Sequence, residues 1–193
     1  ESIKAEPPGA LDAKTRQELL TRALDEANNT VFGLAGRQPE FRGMGTTLVA
    51  ALVQGGEATI LNVGDSRAYL FDGTRLHQLT EDHSYVEEMR RQGRITEADA
   101  RTHPQKNLIT RAVGVEPTVE GDLFEARLGE NEVLLLCSDG LTGMAEDEKI
   151  ADILKNAKTL ALAGDALLTL ALEGGGRDNI TVALFTRGAE EEA

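Results

Sequence analysis

The sequence is short of cysteine, of basic charge and of long apolar runs, and each shortage removes a class of function. One cysteine, Cys137, stands among 193 residues, so this chain can build neither an internal disulfide nor a thiolate metal site. Cys137 closes the apolar run Val133–Cys137 and reads as a small buried hydrophobe, a usage that suits a reducing cytosol. Twenty Lys and Arg face 33 Asp and Glu, a net charge of −13. Such a chain lacks the basic face that nucleic-acid binding requires. If the ligand is a phosphate ester, cations held at one local site must attract it, because the field of the whole molecule opposes it. No apolar run approaches the roughly 20 residues that cross a bilayer, and no signal-peptide pattern opens the chain. No membrane contact is therefore expected, and a cytoplasmic setting is, either alone or as the cytosolic domain of a larger protein. With 40% hydrophobic and 27% charged residues, the composition is that of one folded domain.

What is present falls into an order of elements. Pro7, Pro8 and Gly9 suit a connecting segment. From Asp12, read as an N-cap, Leu20, Leu24, Ala27 and Val31 recur at steps of four, three and four and so share a helical face. Gly33 or Gly36 is expected to stop that helix. Thr46–Val53, Glu57–Val63, Arg67–Phe71 and Arg75–Leu79 read as strands. Gly55-Gly56, Gly64-Asp65 and Asp72-Gly73 separate them, which predicts an antiparallel meander. Residues 83–114 break the β pattern: Ser84–Gln92 and Thr96–Arg101 read as short helices, with Gly93 and Pro104 as breaks. Strands return at Asp122–Leu128 and Glu132–Cys137, helices at 146–155 and 164–172, and a last strand at Asn179–Thr186. The tail from Gly188, with three consecutive glutamates, is expected to fray. Segregated strands and helices predict an α+β domain with antiparallel sheets rather than a parallel βαβ sheet.

Three aspartates sit where a strand meets a glycine-containing turn. Asp65 follows Gly64, Asp139 precedes Gly140, and Asp178 follows Gly174-Gly175-Gly176-Arg177. Aspartate beside glycine is ordinary turn chemistry. Yet strand ends can also gather short carboxylates at one sheet edge, the oxygen donors that Mg²⁺ and Mn²⁺ favour.

The wider context selects between these readings. Gly45-Thr46-Thr47, Asn62-Val63-Gly64-Asp65-Ser66-Arg67-Ala68-Tyr69, Leu79-Thr80-Glu81-Asp82-His83-Ser84, Ile109-Thr110-Arg111-Ala112-Val113-Gly114, Leu136-Cys137-Ser138-Asp139-Gly140-Leu141-Thr142 and Gly176-Arg177-Asp178-Asn179-Ile180-Thr181-Val182 occur in this order. The series resembles the bacterial branch of the protein phosphatase 2C family over residues 12 to 186. The resemblance implies an αββα fold, a two-sheet antiparallel β-sandwich flanked by helices on both sides. It implies two or three divalent cations, Mn or Mg, with Asp139 and Asp178 ligating a binuclear site and Asp65 sharing a third, weaker metal with Asp139. It further implies that residues 83–111 form a flap, and that a metal-activated water hydrolyses phosphoserine and phosphothreonine in proteins, the targets of kinases. No Cys-x5-Arg loop surrounds Cys137, so no thiol nucleophile is expected.

The family's opening strands carry a phosphate-binding arginine and an Asp-Gly-x-Gly-Gly element, and neither is found here. The chain is therefore expected to lack that N-terminal segment and, by itself, to bind metal weakly and to show little phosphatase activity. A non-catalytic module of the same fold is the alternative. Among the other residues, Gly45, Thr46 and Thr47 are assigned to close packing, and Arg67 and Arg111 to fixing loops. His83 and His103 read as exposed loop histidines, Asn179 as orienting Asp178, and glycines 174–176 as a turn.

Overall fold

The computed structural model describes residues 11–188; the segment with Pro7, Pro8 and Gly9 and the glutamate-rich tail lie outside them. In chain order the elements are α1 (Ala13–Arg37), β1 (Leu48–Gln54), β2 (Glu57–Val63), β3 (Arg67–Phe71), β4 (Leu76–Gln78), α2 (Tyr85–Arg91) and α3 (Glu97–Thr102). β5 (Asp122–Arg127), β6 (Val133–Cys137), α4 (Asp139–Thr142), α5 (Asp147–Asn156), α6 (Leu160–Glu173) and β7 (Val182–Thr186) follow. They form two compact units that interleave in sequence. One takes the residues up to Asp65 together with Glu81–Glu125; the other takes Ser66–Thr80 and the residues from Ala126 onward.

In the first unit, α1 begins where Asp12 Oδ1 accepts the Thr15 N–H at 2.8 Å, the expected N-cap. Its Leu20 and Leu24 are buried with Leu61, Val63 and Val113, and Ala27 and Val31 pack alongside. The helix does not stop at Gly33 or Gly36. Neither glycine adopts a positive φ, and the helix runs on to Arg37, ending just before Pro39, whose ring has no N–H to continue it. β1 and β2 pair antiparallel from Leu48↔Val63 to Gln54↔Glu57. Gly55 and Gly56, at φ 60° and 90°, make the left-handed turn that a tight hairpin needs. β2 lies between β1 and β5 and is buried from Ala58 to Val63. Within 83–111, Ser84 caps α2, and a Thr96–Asp99 capping box opens α3, which buries none of its residues.

In the second unit, four strands run in the order β4-β3-β6-β7, each antiparallel to its neighbour. Ile150 and Leu154 of α5 and Ala163, Leu167 and Ala171 of α6 cover Tyr69, Phe71, Leu135 and Cys137. Cys137 is buried as expected. Leu135 is wholly buried, and each such side chain removed from water contributes about 1.5–3 kcal/mol.

The two antiparallel sheets and their helices make the α+β class read from the sequence. Within it, the four early strands do not form one meander. β1 and β2 belong to one sheet, β3 and β4 to the other. Gly64, at φ 104° with Thr47 filling the space where its Cβ would be, marks the change; a turn signal alone does not say whether two strands pair across it. α4 was not foreseen, α6 starts at Leu160 because Thr159 caps it, and β7 starts at Val182. Among the described residues, no helix is long and apolar enough to cross a membrane.

Candidate metal centre

In the second unit, β3, β6 and β7 align at one end through the pairs Arg67↔Cys137 and Cys137↔Val182. The register decides where two of the aspartates go. Asp139 lies two residues beyond Cys137, and Asp178 four residues before Val182, so both leave the sheet at this end. Hydrogen bonds then tie their segments together. Ser138 N–H donates to Thr181 O at 3.1 Å, Thr181 N–H to Ser138 Oγ at 3.0 Å, and Ser138 Oγ–H to Asn179 O at 3.2 Å. Gly140 permits the approach: a Cβ there would lie 2.3 Å from Asn179 O. These contacts explain why β7 starts late, since Asn179–Thr181 are engaged by the Ser138 segment. Asp139 is half-buried in the first turn of α4, and Asp178 is exposed. Asn179 N–H donates to Asp178 Oδ1 at 2.7 Å, holding that carboxylate in its turn as expected of Asn179. Gly175 and Gly176, both at positive φ, form the predicted turn ahead of it.

Asp65 belongs to the first unit, where it is half-buried just after Gly64. The Gly64 backbone is held from both sides. Its carbonyl accepts from His83 N–H at 2.9 Å and from Asn62 Nδ2 at 3.2 Å, and its N–H donates to His83 Nδ1 at 3.0 Å. His83 is thus not the exposed loop residue read from the sequence; it is only 7% exposed. A backbone N–H can only donate, so Nδ1 is the unprotonated nitrogen and Nε2 carries the hydrogen. Nε2 faces Asp122 Oδ2 at 3.2 Å, at an angle that falls short of a hydrogen bond. Arg111 Nη1 donates to Asp122 Oδ1 at 2.7 Å and to Glu120 O at 2.9 Å, the loop-fixing role expected of it. Burial alone would raise the Asp122 pKa, but Arg111 and His83 outweigh burial and hold it below its ordinary value.

The remaining candidates take structural places. Arg67 Nη1 donates to the buried Tyr69 hydroxyl at 2.9 Å. Thr46 bridges to Val113, and a Cβ at Gly45 would meet Val115 at 2.6 Å, so this motif serves close packing. His103 is half-buried, its ring 6.2 Å from that of Tyr85. A groove of about 500 Å³ between α6 and β7 is lined by Leu160, Leu168, Ile180 and Leu184, with only Asp165 and Thr181 adding polar side chains; it offers no converging donors.

The carboxylates fit hard divalent cations in donor type. Among the described residues no group of three or more His, Cys, Asp or Glu converges as metal ligands.

Comparison with known proteins agrees with this chemistry. Residues 4–180 match the family Protein phosphatase 2C. The chain is 44% identical over 182 residues to the Serine/threonine phosphatase stp of Listeria welshimeri, covering 94% of this chain and 72% of that protein. Among solved structures, the serine/threonine phosphatase Stp1 from Staphylococcus aureus superposes with a TM-score of 0.90 at 36% identity, covering 97% of this chain and 74% of that one. The catalytic domain of the protein phosphatase PstP, in complex with two manganese ions, gives a TM-score of 0.82 at 34% identity, covering 95% and 74%.

Proposed function

Because the chain belongs to the protein phosphatase 2C family, and is with it a metal-dependent serine/threonine phosphatase of phosphoproteins, we propose that Asp139 and Asp178 are its metal ligands and that Asp65 serves a further, weaker cation. The observation that carries this reading is the tying of the Asp139 and Asp178 segments at one sheet end through Ser138. Divalent cations, Mn or Mg, supply charge neutralisation for the phosphoester and a lowered pKa for water. The chain's own part is to present the ligands. α4 carries Asp139 rigidly off the buried strand β6, Asn179 N–H fixes Asp178, and Gly140 lets the two segments meet. Residues 83–111 act as the flap that shapes substrate access. The proposed setting is cytoplasmic, without membrane contact, and the proposed substrates are proteins phosphorylated by kinases.

The test is turnover of a phosphothreonine peptide against Mn²⁺ concentration. Asp139→Asn keeps the shape and removes one ligand charge, so the Mn²⁺-dependent rate should fall by about a hundredfold or more while the fold stays intact. A variant that turns over like the wild type at limiting Mn²⁺ would remove Asp139 from the site.

A further inference from the structure

Both the backbone and the ring of the buried His83 grip one residue, Gly64. Its N–H donates to Gly64 O at 2.9 Å and its Nδ1 accepts the Gly64 N–H at 3.0 Å. Asn62 Nδ2 adds a bond to the same carbonyl at 3.2 Å and another to Glu81 O at 3.0 Å. The peptide between Gly64 and Asp65 is therefore held by donors, and the one before it by an acceptor. Gly64 itself has little room to adjust: it sits at φ 104°, and Thr47 Cγ2 lies 2.4 Å from where a Cβ would stand. His83 is in turn held in place. Thr110 N–H donates to its carbonyl at 2.8 Å, and Nε2 faces Asp122, which Arg111 anchors.

We infer that His83 is a positioning residue for Asp65: through Gly64 it sets the direction in which the Asp65 carboxylate leaves the chain, and Asp122 sets the ring. The inference rests on Asp65 serving a cation. A ligand aimed by backbone fixed on both sides loses little freedom on binding metal, and supporting groups of this kind are worth roughly 10- to 100-fold in metal affinity. Its neighbours give His83 a second consequence: Thr110 and Arg111, at the far end of the 83–111 segment, close on the same histidine and on its Asp122 partner.

Two substitutions separate the nitrogens of the ring. His83→Asn places an amide oxygen where Nδ1 was and can still accept the Gly64 N–H, but loses the reach to Asp122. His83→Gln carries its polar end toward Asp122 and loses the Gly64 bond. Mn²⁺ titration by calorimetry on the intact protein, beside Asp65→Asn, should show His83→Gln weakening the Asp65-dependent binding step by about tenfold, with His83→Asn within about threefold of the wild type. If Asp65→Asn leaves Mn²⁺ binding unchanged, the ligand role of Asp65 fails and the inference goes with it. If Asp65→Asn weakens binding but His83→Gln does not, positioning alone is refuted. A loss in His83→Asn as large as that of Asp65→Asn refutes it too, whether or not the Gln variant folds. The metal-free wild type gives a reading that needs no variant: ¹⁵N spectra should show Nδ1 of His83 unprotonated, and a protonated Nδ1 overturns the inference.

Discussion

Adding one methyl group at Gly140 probes the spacing between the two proposed ligand segments. A Cβ there would lie 2.3 Å from Asn179 O and 2.9 Å from its carbonyl carbon, with Ile180 Cα at 3.3 Å. The obstacles are backbone, so no side-chain rotation relieves them. To restore ordinary contact at 3.4 Å, the Asn179 carbonyl must retreat by about 1 Å. Overpacking of this kind costs about 1–3 kcal/mol, while alanine gains back as much as about 1 kcal/mol over glycine in a helix such as α4. Gly140→Ala should therefore remain folded, with a net loss of about 0–2 kcal/mol in urea unfolding. Metal ligation is far less tolerant. Ligand distances hold to within about 0.2 Å, so a displacement of about 1 Å beside Asp178 should cut Mn²⁺ affinity by tenfold or more. Gly164→Ala in α6 is the control, since a Cβ there meets nothing within 4 Å. It should stabilise the fold by up to about 1 kcal/mol and leave Mn²⁺ binding alone. A Gly140→Ala protein destabilised as expected, yet binding Mn²⁺ and turning over peptide like the wild type, would refute the link between this contact and the ligand spacing.

Leu135→Ala, at a wholly buried position of β6, should cost about 2–5 kcal/mol in urea unfolding; a loss near zero would mean that the α5–α6 layer does not rest on it. Asp72, whose carboxylate faces His77 Nε2 at 2.7 Å and accepts from Arg75 and Thr74 N–H, is lowered from 3.8 to about 2. A depressed carboxylate stabilises the fold above its ordinary pKa and loses that contribution as pH falls through the folded value. The stability difference between wild type and Asp72→Asn should accordingly close between pH 3.8 and 2; a difference constant across that window would contradict the assignment. In amide exchange, α3, which buries no residue, should exchange well ahead of β6, whose strand is buried. Equal protection would show the 83–111 segment to be as firm as the core.

Local signals carried the elements that local chemistry decides. Glu57–Val63 and Arg67–Phe71 were legible to the residue, since glycine-containing turns bound them, and Asp12, Ser84 and Thr96 capped the helices they precede. Long-range pairing was not legible. Nothing within Asn62–Phe71 states that β3 takes β6 as its partner 66 residues on. His83 was misread for the same reason. Its neighbours Glu81, Asp82 and Ser84 are polar, and its burial comes from Gly64 and Asp122, remote in sequence. The one clue was its place between a strand end and a capping serine. The candidate ligands were legible through motif order alone; the joining of their loops depends on the Cys137↔Val182 register, which no motif encodes.

The interleaving of the two units bears on how the protein is made. The β1–β2 hairpin can pair as soon as it is synthesised, because its two strands adjoin in the chain, although β5, on the other edge of β2, comes later. β3 likewise waits for its second partner, since β6 emerges 66 residues after β3. At 5–20 residues per second, that is roughly 3 to 13 s on the ribosome. Throughout that interval Tyr69 and Phe71, which end wholly or almost wholly buried, must wait with one strand edge open. The nascent chain thus passes through a stage at which an open strand edge and unburied aromatic residues leave it prone to association with other chains.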